Sequence, residues 1–474
     1  MFGFLLRLAA RIPFLFVAGR VYGPEALGRM AYAILVVEFA AQLATLGLKR
    51  GLALQLTSES RAPGHIVWDA LLVVLIASIG FSGILAVFPQ AMFPNSAITG
   101  FDRLLGLVVF MIAGADVMLA ALAYRFDVAA TVRSRAVVEP WTISIGAFVF
   151  SYCSLTDGLL LAYALSVIAA FVTAFVAFVR SYKWPSRWMP SSFALRRLVR
   201  RNLPLAAADA IEWGSRRVDL AILGLFVGPA TVGVYYVAQQ LASLPQKLKT
   251  SFDPVLGPII TRNLEVGNRA AVAAAISRAG FWIVAAQVGI ALALGIPGAA
   301  VMGLIGKAGV FVGGNGVLAL LLLAEVLAAT AVVSESALVY IARHRNLAIS
   351  LAALALQIGL SFLFIFWMQR AGWSLNWVAM GPAAALGISL ACSAVAKAWL
   401  ASRMLGSPVS LWRWPLLGAA ALATGFGALA TATPEWSEIL IGIPGMLAIY
   451  SWVIWRFAFE ADDRALFGRS AALP

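Results

Sequence analysis

Cysteine and histidine are nearly missing from this chain of 474 residues. There are two of each, Cys153 and Cys392, His65 and His344. Two cysteines far apart form neither a CxxC pair nor a disulfide framework, and both fall in predicted spans, where they read as buried inert thiols. The histidines fall in predicted loops and cannot assemble a metal constellation, so no metal and no cofactor is expected. Charge is scarce as well. Only 12% of residues are Asp, Glu, Lys or Arg, about half the share of a soluble domain. No Walker A loop, no GxSxG and no long loop with paired carboxylates occurs, which argues against an ATPase or a secreted-domain enzyme.

What fills the chain is apolar. Hydrophobic residues make up 62% and the mean hydropathy is +0.92. A helix needs about 20 apolar residues to cross a bilayer. On that scale the sequence reads as an all-α polytopic membrane protein with about 14 spans: 2–22, 26–48, 66–88, 104–124, 134–155, 158–180, 204–227, 231–248, 271–296, 317–342, 346–368, 375–400, 411–432 and 436–457. The apolar run begins at Phe2, so no cleaved leader is needed.

The net charge of +14 in a soluble protein would suggest nucleic acid. Here the distribution explains it instead. With the N-terminus inside, 28 of the 35 Lys and Arg residues fall on cytoplasmic ends and loops, from Arg7 and Arg11 through Arg135, Arg187, Lys247, Lys249 and Lys397 to Arg464 and Arg469. Five, Arg29 among them, fall outside, and Arg216 and Arg217 lie within a span. That bias sets both termini in the cytoplasm and removes the case for nucleic acid.

Residues 216–238 repeat residues 11–33. At a constant offset of 205, seven of 23 positions are identical, including Gly19/Gly224, Gly23/Gly228, Pro24/Pro229 and Gly28/Gly233. Each copy reads as a helical hairpin turning at Gly-Pro, where glycine permits positive φ and proline starts a new helix. Six spans separate the copies, an even number, so the repeats are parallel and related by an axis along the membrane normal. The expected domains are a six-helix bundle at 1–180, a linker at 181–203, a second bundle at 204–402, and two further helices with a tail at 403–474. The linker is basic, with Leu195-Arg-Arg-Leu-Val-Arg-Arg201 reading as an amphipathic segment on the anionic leaflet.

The seventh predicted span carries Asp209, Glu212, Arg216, Arg217 and Asp219. On one helix, 209, 212, 216 and 219 would share a polar stripe, with Glu212–Arg216 and Arg216–Asp219 close enough to pair. Three or four such charges cost roughly 8–14 kcal/mol on the insertion scale, against about 3–5 kcal/mol returned by the span's apolar residues. The stripe must therefore face partners or a water-filled cavity. Arg11 is the repeat partner of Arg216. Glu38, Asp116, Glu139, Glu325 and Glu335 also lie within spans as candidates for proton or cation coupling. Lys49 and Arg50 stand at the cytoplasmic end of the second span, where their plain role is topology.

Asp219-Leu-Ala-Ile-Leu-Gly224, Gly228-Pro-Ala-Thr-Val-Gly233-Val-Tyr235 and Ala238 resemble the seventh-to-eighth-span signature of bacterial polysaccharide flippases of the multidrug/oligosaccharidyl-lipid/polysaccharide exporter superfamily. Tyr22-Gly-Pro-Glu-Ala-Leu-Gly28 and Thr45-Leu-Gly-Leu-Lys-Arg-Gly51 resemble the first-to-second-span region of the O-antigen branch. The resemblance implies a V-shaped pair of six-helix bundles with two additional helices. It implies translocation of a polyprenyl-pyrophosphate-linked oligosaccharide across the bacterial inner membrane, with polysaccharide assembly proteins as partners. Cavity cations would hold the pyrophosphate; the matching positions are Arg11, Arg216, Arg217, Lys49 and Arg50. Asp209, Glu212, Asp219, Glu38, Glu325 and Glu335 are the coupling candidates. Because intramembrane acids are as numerous as arginines, an ion-coupled multidrug or small-molecule antiporter on the same fold is the second reading. A polymerase or glycosyltransferase would need a sizeable outer loop, which is absent, and a 12-span facilitator would need a Gly-x-x-x-Asp-Arg loop that residues 49–64 lack.

Overall fold

A computed structural model describes residues 2–58, 61–185, 188–244, 253–307, 309–410, 412–460 and 463. Arg187, Lys247, Lys249, Arg464 and Arg469 from the charge count, and the last residues of the expected 231–248 span, lie outside them, as does the side chain of Arg7. Among the described residues every regular element is helical. The apolar content therefore resolves into helices, which satisfy their own backbone groups as a hydrocarbon environment demands. Nine helical stretches among them are long and apolar enough to cross a membrane; this is a multi-pass membrane protein.

The chain forms two compact units, 1–233 and 234–474. The first contains α1 (Phe2–Val17), α2 (Gly23–Ala44), α3 (Leu48–Ser58), α4 (Pro63–Val87), α5 (Val108–Tyr124), α6 (Glu139–Phe150), α7 (Gly158–Tyr182), α8 (Ser192–Ser215) and α9 (Val218–Phe226). α10 (Pro229–Ala242) crosses the boundary. The second contains α11 (Asp253–Glu265), α12 (Arg269–Gly295), α13 (Gly298–Ile305), α14 (Asn315–Ile341), α15 (Arg343–Arg370), α16 (Leu375–Leu405), α17 (Pro415–Ala430) and α18 (Ile443–Val453). The division thus falls 30 residues beyond the expected linker 181–203, and the seventh segment lies with the first unit.

That segment also differs locally. α8 begins inside the expected linker, so the basic run 195–201 forms its opening turns, with Arg196, Arg197, Arg200 and Arg201 exposed. Its Ser191 side chain accepts the Ala194 amide at the N-cap. α8 then stops, with Arg216 at its C-cap and Arg217 at the N-cap of α9. The single helix with one polar stripe from 209 to 219 is therefore not formed. Cys153 and Cys392 are exposed on the chain, not buried, and His65 and His344 sit in the first turns of α4 and α15 instead of in loops.

The repeated Gly-Pro turns pack directly on one another. Gly23 has φ +82°, and Pro24 and Pro229 open the helices that follow. A Cβ placed on Gly28 would lie 1.8 Å from the Pro229 carbonyl oxygen, and one on Gly233 would lie 2.0 Å from that of Pro24. Adding or subtracting 205 converts each contact into the other. This reciprocity is what a two-fold relation between the copies produces, and it places both turns at the same end of the unit. Around this crossing Tyr32 lies against Gly224 and donates its hydroxyl to the Ala221 carbonyl at 3.2 Å. Asn95 donates to the Gly224 and Val227 carbonyls at the end of α9. Close by, Arg29 is buried against Asp102 and the Phe93 ring, so one of the five outer basic residues is a packed ion-pair partner and not a free topology charge.

In the second unit α14 packs along α16, and α12 carries α17 and α18. Phe281, Val284, Ala419, Ala423 and Tyr450 form the core there, and the Tyr450 hydroxyl donates to the Ala285 carbonyl at 2.7 Å. Just past the last span, Asp463 closes this layer. It accepts from Arg413 at 2.6 Å and from the Trp282 indole at 3.1 Å. Burial alone would raise the Asp463 carboxyl, but the hydrogen bonds from Arg413, the Glu460 amide and Trp282 outweigh it and hold it below its ordinary value.

Gly28→Val and Gly233→Val should each lower the melting temperature of detergent-solubilised protein. Overpacking typically costs about 1–3 kcal/mol, and here the obstacle is backbone that cannot rotate away. Gly80→Ala and Gly83→Ala, which meet open space, should change it little. For the second unit, a depressed folded pKa means that the Asp463 contribution is present above the ordinary carboxylate value near 4. It is lost as pH falls through the lower, folded value. Melting curves from pH 6 to pH 3 should therefore show a loss of stability that is smaller in Asp463→Asn.

Candidate functional site

The first unit brings charges together that lie far apart in sequence. α2 ends at Ala44, and after the short Thr45-Leu46-Gly47 turn α3 starts at Leu48. Gly47, at φ +73°, lies against Asn202 and Ala206 of α8, and Gly51 faces the Asn202 side chain. Close approach of these two helices puts Lys49 and Arg50 between α5 and α8. Lys49 Nζ is 3.0 Å from Asp116 Oδ2 on α5. Arg50 reaches α8, with Nε 2.7 Å from Asp209 Oδ1 and Nη2 2.5 Å from Glu212 Oε2. Glu212 also accepts from Arg216 at 3.2 Å, so the expected (i, i+4) pair is formed across the end of α8. Arg217 pairs with Glu38 of α2 at 3.0 Å and lies over the Trp213 ring.

Arg135 completes the network. It stands in a π-helical stretch, Val132–Val138, that leads into α6. It pairs with Asp116 and, at 2.8 Å, with Glu139. The charge count placed it among cytoplasmic topology residues; the structure makes it the cation between two acids. The Arg135–Glu139 spacing of four residues inside an apolar run was the available signal.

Glu38, Lys49, Asp116, Arg135 and Glu139, with Tyr163 and Trp213, line a cavity of about 520 Å³. Its charged wall holds three carboxylates and two cations, with Arg217 behind Glu38. These residues do not build a clearly cationic site, in keeping with intramembrane acids as numerous as arginines in the sequence. Of the proposed head-group residues, Lys49, Arg50, Arg216 and Arg217 all have acidic partners, and Arg216 is the most exposed, at 63%. Arg11 and Arg216, expected one in each bundle, both fall in the first unit. Asp209 and Asp219 are buried.

Glu325 and Glu335 lie on α14 in the second unit. Glu335 accepts from Lys397 of α16 at 2.8 Å and from Asn346 of α15 at 3.1 Å. Lys397 is buried among these helices, so it too is more than the topology charge that sequence position suggested. Among the described residues no group of His, Cys, Asp and Glu has the arrangement of a metal site.

The fold is shared with solved structures of polytopic membrane proteins. The structure is similar to that of the lipid II flippase MurJ in an inward closed conformation, with a TM-score of 0.73 over 97% of this chain and 100% of that one at 11% identity. It is similar to an inward-facing multidrug resistance MATE family transporter of the MOP superfamily, with a TM-score of 0.66 over 84% and 94% at 15% identity. In sequence it is 24% identical over 247 residues to the succinoglycan biosynthesis transport protein ExoT of Rhizobium meliloti (strain 1021); the match covers 50% of this chain and 47% of ExoT. The model of the polysaccharide biosynthesis protein family matches residues 17–290, more than half of the chain. The chain belongs to that family.

Arg135→Met should destabilise the folded protein by about 3 kcal/mol, because it leaves two half-buried acids short of a partner. Adding Asp116→Asn and Glu139→Gln should recover much of that loss. Melting temperatures of the single and combined variants test the coupling.

Proposed function

We propose that this protein is a flippase that moves a polyprenyl-pyrophosphate-linked oligosaccharide from the cytoplasmic to the periplasmic leaflet of the bacterial inner membrane, for surface polysaccharide assembly. The observation that carries this reading is a charged, ion-paired cavity of about 520 Å³ inside an otherwise apolar helical unit. Ionisable groups are expensive in a membrane and mark pathways. Membership of the polysaccharide biosynthesis family supports a polysaccharide-related cargo, and the names of MurJ and ExoT, a flippase and a transport protein, agree with it.

In this reading a phosphate oxygen competes with Glu212 for Arg216 and Arg50. Both arginines are more than half exposed and already share one acceptor, so the head group exchanges one carboxylate for another anion instead of stripping a buried ion. Guanidinium keeps its charge and offers forked contacts to each phosphate. Arg11 contributes as the repeat equivalent of Arg216. Lys49 and Arg217 stay with Asp116 and Glu38. The prenyl tail remains in lipid while the sugars travel through polar surroundings, and access alternates by movement of the two repeats about the site. The N- and C-termini face the cytoplasm, as the Lys and Arg distribution requires.

Deleting the gene should abolish surface polysaccharide and accumulate lipid-linked precursor. Arg216→Ala should reproduce this at near-normal protein level, with Arg216→Lys partly active. If Arg216→Ala fails to accumulate, and pairing it with Glu212→Ala restores both level and export, the arginine serves only as an ion-pair partner. The second reading, an ion-coupled antiporter, has the excess of carboxylates in the cavity wall in its favour. It requires the deletion strain to keep its polysaccharide and lose tolerance to a toxic cation.

A further inference from the structure

The cavity of the first unit has a property that the head-group reading does not use. Each charged group in its wall already has a counter-charge. Lys49 is held by Asp116, Arg135 by Asp116 and Glu139, and Glu38 by Arg217. An anion entering here must take a cation from its carboxylate, and a cation must take a carboxylate from its guanidinium or ammonium. Either leaves a charge unpaired in low dielectric. An uncharged polyol needs no such exchange. Paired carboxylates still have lone pairs for hydroxyl donors, and guanidinium and ammonium retain N–H donors for ring and hydroxyl oxygens.

A second observation points the same way. Tyr163 lines this cavity and is 95% buried, with 5% of its surface exposed, yet its hydroxyl has no hydrogen-bond partner among the described residues. A buried hydroxyl without a partner is a cost that a ligand hydroxyl would remove. The wall also carries Gln42, Thr131 and Trp213, which add neutral donors and acceptors and an aromatic ring. The volume lies within the roughly 300–1,000 Å³ of small-molecule sites, far more than a bare ion occupies.

We infer that this cavity is a subsite for an uncharged sugar unit of the oligosaccharide, separate from the arginines that meet the pyrophosphate. The inference rests on the flippase reading. The carboxylates orient the sugar by accepting from its hydroxyls, Arg135 and Lys49 donate to it, and Tyr163 selects a unit with a hydroxyl at its level. The charge-balanced wall discriminates against acidic sugars, whose carboxylate would meet Glu38, Asp116 or Glu139.

The test uses the full chain in its own membrane, so the glycan need not be known beforehand. A photo-crosslinking benzoylphenylalanine is placed at Ala120, in the cavity wall, and at Ile79, exposed on α4. Adducts are analysed by mass. At Ala120 they should carry neutral sugar increments, and at Ile79 only phospholipid. Adding Tyr163→Phe should lower the sugar-adduct yield at Ala120 by about two- to tenfold, the worth of one hydrogen bond. The melting temperature should not fall, since the lost hydroxyl has no partner among the described residues. Adducts at Ala120 without sugar, with acidic sugar only, or with a yield indifferent to Tyr163→Phe would overturn the proposal. If deletion of the gene abolishes surface polysaccharide while Ala120 adducts lack sugar, the subsite alone fails. If deletion leaves polysaccharide intact, the flippase reading fails with it.

Discussion

Compensation of charge in an apolar surround is the constraint on which the first unit depends. Glu38, Asp116, Glu139, Asp209 and Glu212 come from α2, α5, α6 and α8, and each meets a cation from another segment or from a neighbouring turn. An isolated ion at such depth costs several kcal/mol, so the helices can assemble only in arrangements that bring these partners together. The pairing is also where function enters. In the proposed reading a wall of matched charges admits water and hydroxyl-rich cargo without trapping a single ion.

Geometry at the opposite extreme of polarity makes this pairing possible. Gly47 and Gly51 let α3 approach α8 closely enough for Arg50 to reach Asp209 and Glu212. Gly28 and Gly233 let the two copies of the Gly-Pro turn cross with backbone against backbone. Small residues take this role in membrane helices because helix association there relies on close packing rather than on exclusion of water. The break between α8 and α9 belongs to the same design. It moves Arg216 and Arg217 out of a continuous helix and gives each a separate acid, Glu212 and Glu38.

The membrane class, the helical architecture and the repeat were legible because they rest on composition and on a fixed register of glycine and proline. The charged residues of the seventh segment were legible as a group because their insertion cost exceeds what their neighbours return. Their partners were not. Arg135 and Lys397 sit near the ends of apolar runs, where a lysine or arginine usually marks topology, and only tertiary packing reveals that Asp116 and Glu335 hold them. Arg29 escaped for the same reason. The end of α8 also resisted sequence reading, since nothing in Ser215-Arg216-Arg217 forbids a helix, and the partner of Arg217, Glu38, is brought to it only by tertiary packing.

The central claim, that this charge-compensated helical protein translocates a lipid-linked oligosaccharide, is tested most directly by transbilayer movement in proteoliposomes. Purified full-length protein is reconstituted with a polyprenyl-pyrophosphate-linked oligosaccharide extracted from the cells that make it. The fraction of head groups reached by an impermeant lectin is then followed in time. The account predicts that protein-containing vesicles expose inner-leaflet glycan steadily, and that Arg216→Ala vesicles do so much more slowly. Equal exposure in vesicles with and without protein would contradict it.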